Sequence, residues 1–142
     1  MLVREAKLRN GTPEQYRALD KVIRTAQFVR NKCLRYWMDN RGVGKNKLYA
    51  LCKDLAKEFA FAKRLNSAAR QASAERAWSA IANFYKRCKG GEKKKGYPKF
   101  KKNCRSVEYK QSSWKLSEKM GCPSPSRTGL ARERLPCTVM VS

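Results

Sequence analysis

Apolar residues repeat at the helical period three times along this chain, and a breaker closes each run. The first run is Tyr16, Leu19, Ile23, Ala26, Val29, Cys33 and Trp37, opened by Thr12-Pro13-Glu14-Gln15. Thr12 can cap, Pro13 suits the first helical position, and Gln15 can reach back as in a capping box. Asn40-Arg41-Gly42-Val43-Gly44 ends the pattern. A second run begins at Asn46 and sets Leu48, Leu51, Cys52, Leu55 and Phe59 on one side. Leu65-Asn66-Ser67 offers a new cap, and a third run carries Ala68, Gln71, Ala74, Trp78, Ile81, Tyr85 and Cys88 up to Gly90-Gly91. Three amphipathic helices of this length can pack as a small bundle. The fold class expected is mainly α.

The flanks read differently. Residues 2–9 are short and β-like, and Asn10-Gly11 marks a turn. Beyond the third helix, Val107, Tyr109 and Gln111 alternate with polar neighbours, followed by Trp114 and Leu116. That alternation predicts a strand, with a bulge or turn at Ser112-Ser113. From Lys119 onward there is neither periodicity nor a core, so disorder is expected there.

Between helix and strand lies a dense run of positive charge. Lys86, Arg87, Lys89, Lys93, Lys94, Lys95, Lys99, Lys101 and Lys102 fall within residues 84–102, opposed there only by Glu92 and interleaved with Phe84, Tyr85, Tyr97 and Phe100. Lysine and arginine neutralise phosphates and release counterions, and aromatic rings stack on bases or pack a segment onto a scaffold. Tyr97, Pro98 and Phe100 suit the second role, while Trp37, Trp78 and Phe84 lie on helical stripes and are expected in the core. The chain as a whole carries a net charge of +23. Such an excess repels itself in a compact state unless a polyanion neutralises it. Nucleic acid is the first candidate partner and an anionic membrane surface the second. No stretch approaches the roughly 20 apolar residues of a membrane span, and the N-terminus has no apolar core of signal-peptide length. A cytoplasmic (bacterial) or nuclear setting is expected.

Chemistry of other kinds finds little support. The chain has no histidine, which removes the commonest general base. Its acidic residues mostly stand at helical spacing from basic ones, as Asp20 does from Arg24, and read as solvated helix faces. The six cysteines, at 33, 52, 88, 104, 122 and 137, form no Cys-x-x-Cys pair. They read as reduced thiols, with Cys33, Cys52 and Cys88 on apolar stripes, and no metal site or cofactor is expected. No catalytic constellation is present.

Several short segments, in order, resemble the N-terminal part of the TnpB/OrfB family of transposon-encoded proteins. They are Thr12-Pro13-Glu14-Gln15, Asn31-Lys32-Cys33-Leu34, Leu65-Asn66-Ser67 before Gln71-Ala72, and Ala80-Ile81-Ala82-Asn83-Phe84-Tyr85. Gly96-Tyr97-Pro98-Lys99-Phe100-Lys101-Lys102 and Ser106-Val107-Glu108-Tyr109, running to Trp114-Lys115-Leu116, complete the set. The resemblance spans roughly residues 3–118.

Members of that family are RNA-guided DNA nucleases similar to the type V CRISPR effectors. The resemblance implies that the first strand and the strands after the basic loop belong to a wedge-type β-barrel, here incomplete. The helices between would form a recognition region, known in older usage as a helix-turn-helix. Together they would hold guide RNA and read a short transposon-adjacent DNA motif, with guide pairing supplying most specificity. The expected organisation is thus a first barrel strand at 2–11, a helical region at 12–89, a basic loop at 90–105, barrel strand or strands at 106–118, and a tail at 119–142. By resemblance, positions that read the DNA motif fall at Tyr49, Lys53, Asn66 and Gln71. Asn and Gln can read adenine edges, and Tyr or Lys can hold phosphate. Packing between helices is the alternative for Tyr49, and simple exposure on a helix is the alternative for Gln71.

The family's RuvC-like domain, with three carboxylates holding metal ions, and its zinc ribbon have no counterpart in this sequence. The chain is therefore expected not to cleave DNA by itself. Met120 to Leu130, back-translated and read in a shifted frame, can yield an alternating sequence like the family's next segment. The tail is accordingly expected to be out-of-frame translation of a truncated gene. Two rival readings stay open: a transposase or nuclease acting with a full-length copy, and a small basic RNA-binding or ribosome-associated structural protein.

Overall fold

The computed structural model describes residues 11–110 and 138–140. Four helices and two short strands follow one another: α1 Pro13–Asp39, α2 Lys45–Glu58, α3 Ala60–Arg64, α4 Ser67–Lys89, β1 Ser106–Glu108 and β2 Thr138–Met140. The architecture is mainly helical. Among the described residues no helix is long and apolar enough to cross a membrane.

The helix starts follow from local chemistry. At α1 the Thr12 hydroxyl accepts from the Gln15 N–H at 3.3 Å, and Gln15 Oε1 accepts from the Thr12 N–H at 3.0 Å. This reciprocal pair satisfies two donors that a helix start would otherwise leave orphaned. Asn66 Oδ1 caps α4 by accepting from Ala68 N–H at 2.8 Å. Between them lies an element absent from the sequence reading. Phe59 adopts an extended backbone, ends α2, and starts the single-turn α3. Arg70 then closes the corner, its guanidinium donating to the carbonyls of Ala62 at 3.0 Å, Lys63 at 3.2 Å and Leu65.

The main core gathers Val29, Cys33 and Leu34 of α1, Val43, Leu48, Cys52 and Leu55 around α2, and Ala74, Ala77 and Ile81 of α4. Along α4 the buried face is largely alanine, and small residues let packed helices approach closely. The stripe expected for this helix is displaced at its start: Ala69 and Ala72 are buried, whereas Gln71 is exposed. Alanine carries little hydrophobic contrast, so tertiary packing rather than periodicity selects which alanines face inward. At the other stripe ends, Tyr16 and Tyr85 are exposed rather than buried.

A second cluster joins Ala26, Leu65, Ala69 and Val107, flanked by Val22, Ile23 and Tyr109. Val107 is how β1 docks on the bundle. The barrel expectation is not met among the described residues. Residues 106–108 pair antiparallel with 138–140, Ser106 opposite Met140 and Glu108 opposite Thr138, giving a two-stranded ribbon. Three residues of the tail expected to be disordered therefore lie in a strand. The first barrel strand, residues 111–118 of the predicted second one, and the rest of the tail fall outside the described residues.

Candidate nucleic-acid interface

After α4 the chain turns at Gly91, whose φ of 68° places it in the left-handed region that glycine tolerates. It then doubles back along α1 as a strap with no regular secondary structure of its own. Helix side chains hold its backbone. Arg87 donates through Nε to the Lys95 carbonyl at 2.7 Å and through Nη2 to the Gly96 carbonyl at 3.0 Å. Arg30 Nη1 donates to the Lys99 carbonyl at 3.5 Å and to Asn31 Oδ1 at 3.2 Å. The Asn31 amide grips Lys101 on both sides, Nδ2 donating to its carbonyl at 2.9 Å and Oδ1 accepting from its N–H at 3.1 Å. Farther on, the Cys104 N–H donates to Gln27 Oε1 at 2.9 Å. Arg76 secures Ser106 through carbonyl and hydroxyl, both at 3.1 Å, and lies 3.6 Å from the Glu108 carboxylate.

Aromatic packing completes the anchorage. The Tyr97 ring lies 5.7 Å from Trp37 and 5.3 Å from Phe84, and Trp37 Nε1 donates to the Tyr85 hydroxyl at 2.9 Å. Pro98 is buried, whereas Tyr97 and Phe100 each keep about half of their surface in solvent. Tyr97 thus docks the strap onto helices α1 and α4 rather than onto a barrel, with Pro98 buried beside it, whereas the Phe100 ring has no ring partner among the described residues. Trp37, Trp78 and Phe84 are partly buried.

With the backbone pinned inward, the lysine side chains are left outside. Lys86, Lys89, Lys93, Lys94, Lys95, Lys99, Lys101 and Lys102 are all exposed, and none forms an ion pair with a described carboxylate. Arg87 is different: two of its donor nitrogens hold the strap, so it positions the lysines around it. Beneath the strap, Arg30 is only 7% exposed. Burial pulls its guanidinium below the ordinary arginine value, opposed in part by the nearby Cys104 and assisted to a lesser degree by the Arg76 charge.

The four positions assigned to motif reading are scattered in role. Tyr49 is half-buried on α2, with its hydroxyl donating to Glu75 and its ring 5.5 Å from Lys45 Nζ. Lys45 and Lys110 also reach the Glu75 carboxylate. Asn66 caps α4, while Lys53 and Gln71 are exposed on α2 and α4. Gln27, Arg30, Asn31 and Arg76, which hold the strap, were not singled out from sequence as site residues. The available signal was polar side chains interrupting an apolar stripe, as Arg30 does between Val29 and Cys33.

Among the described residues four cysteines are free thiols. Cys33 and Cys52 are buried, and the hydrogen bond to Cys52, followed by burial, pushes the Cys33 thiol far above its ordinary value. Among the described residues no group of three or more His, Cys, Asp or Glu side chains could hold a metal ion. Comparison with known proteins finds no matching family model, no matching curated protein and no matching solved structure.

Proposed function

We propose that this chain is a nucleic-acid-binding unit of the kind found at the N-terminus of TnpB-like RNA-guided nucleases, holding guide RNA and transposon-adjacent DNA without cutting. In this reading the helical bundle is the recognition region, β1 belongs to the wedge region, and the setting is cytoplasmic. The observation that carries it is the strap: exposed lysines on a backbone tied to two helices. A backbone already ordered before binding loses less entropy when the polyanion arrives, so charge on such a segment counts for more than charge on a free loop. Electrostatic neutralisation of phosphates supplies the affinity, and the strap sets the path of the backbone it neutralises.

The test is a gel shift at low salt with structured RNA and with duplex DNA. Retarded bands for either, lost as salt rises, are expected. No binding at low salt would overturn the proposal. Added magnesium should leave the DNA uncut, and metal-dependent cleavage by the purified chain would favour the nuclease reading instead.

A further inference from the structure

Between the N-terminal half of α1 and the end of the strap lies a groove of about 360 Å³. Leu19 and Ile23 give it an apolar floor, and Tyr16 forms one end. Lys102 and Arg105 of the strap stand on one side and Arg24 of α1 on the other. Arg24 is shared with Asp20, 2.8 Å away, so the two strap cations carry most of the unopposed charge. Gln27 lies at the inner end, its Oε1 already accepting from Cys104 and its amide N–H groups left as donors. Tyr16 itself is 46% exposed, which leaves its ring open to a ligand.

We infer that this groove receives a single unstacked nucleotide of a single strand, and the inference rests on the nucleic-acid reading above. The size lies at the lower end of the range for small-molecule pockets and suits one base rather than a base pair. An apolar floor beside an aromatic ring accepts the flat face of a base. Cations at the rim meet the phosphates on either side of it, which is how single strands are gripped without sequence preference. In a duplex the bases stay stacked and paired, so the groove can take no part in duplex binding. The exposed lysines of the strap lead the phosphate chain toward this end, because the strap runs from beside Trp37 to beside Gln27. Tyr16 and the floor then add stacking to what is otherwise a charge contact.

The full chain would be titrated by fluorescence anisotropy against a short oligouridylate, an oligothymidylate of equal length and a duplex. Tyr16→Ala should weaken binding of single strands by about fivefold or more, the range of one lost base stack, and leave the duplex unchanged. Tyr16→Phe, which keeps the ring, should bind like the native chain. Because Tyr16 is exposed, both variants should keep the native far-ultraviolet circular dichroism. If Tyr16→Ala binds single strands as tightly as the native chain, or weakens the duplex equally, the groove proposal is wrong while nucleic-acid binding stands. If the native chain binds none of the three, both fall. Equal effects on the uridylate and thymidylate assign the groove to the base, and an effect on the uridylate alone assigns it to an RNA strand.

Discussion

Asn31 holds Lys101, 70 residues away in sequence, by both atoms of its side-chain amide. No other side chain described here takes both the N–H and the carbonyl of one strap residue. Each net hydrogen bond is worth about 0.5–1.5 kcal/mol, so Asn31→Ala should lower unfolding stability by about 1–2 kcal/mol. Urea denaturation measures the loss, and hydrogen exchange should show the Lys101 amide among the most accelerated. Glu75 makes a second residue-scale case. Burial raises its pKa, but hydrogen bonds from Lys110 and Tyr49, with the charges of Lys110 and Lys45, outweigh it and hold the carboxylate below its ordinary value. A carboxylate depressed in the folded state stabilises the fold above its unfolded pKa, and the contribution disappears as pH falls through the folded value. The native chain should therefore exceed Glu75→Gln in stability near neutral pH, by on the order of 1 kcal/mol. That gap should narrow once the pH falls below the ordinary glutamate range and vanish below the depressed folded value. A gap unchanged between neutral and acid urea melts would show that the charge of Glu75 contributes nothing.

At the scale of elements, the strap depends on one backbone conformation. Gly96 has a φ of 57°, and a Cβ there would stand 3.3 Å from the Arg87 guanidinium. Gly96→Ala should cost about 1–2 kcal/mol through left-handed strain alone, and it presses on the group that fastens Lys95. Loosening here would move Tyr97 away from Trp37, so tryptophan emission should shift to longer wavelength in the native baseline. An unchanged spectrum and melt would mean that the strap is not fastened at this point. The starts of α1 and α4 were legible in the sequence because capping is local: Thr12 with Gln15 and the Asn66 cap need only neighbours within three residues, whereas α2, behind the uncapped Gly44, starts at Lys45 rather than at Asn46. The docking of the strap was not legible. Its partners lie far apart in sequence, as Arg30 does from Lys99, and spacing within a helix cannot name a partner on another element. The buried face of the first turns of α4 differs from the expected stripe for a related reason, since its many alanines offer no contrast between faces. The α2–α3 break was hidden because Phe59 fits a helical stripe while its backbone is extended.

For the whole molecule, the determining quantity is charge against order. A chain at +23 has every electrostatic reason to expand, yet the cations of the strap and of the helices that hold it are divided between two tasks. Arg70, Arg76 and Arg87 spend their donors on carbonyls at corners and on the strap, where a planar fork with several donors is what the geometry needs. Apart from Arg105, the exposed cations of the strap are lysines, compact charges on flexible stems that suit phosphate without fixing its orientation. This division of labour is why the same basic run reads from sequence as one undifferentiated patch. A strap that is the nucleic-acid interface must release counterions through its lysines. Binding of duplex DNA by the full chain should be followed across a salt series, for the native chain and for Lys99→Gln/Lys101→Gln/Lys102→Gln. If the native chain neutralises about six phosphates, log affinity against log salt should fall with a slope near −5, and the triple variant should flatten it by about 2–3. A native slope near zero, or a slope the triple variant leaves untouched, would contradict the assignment of the strap as the nucleic-acid interface.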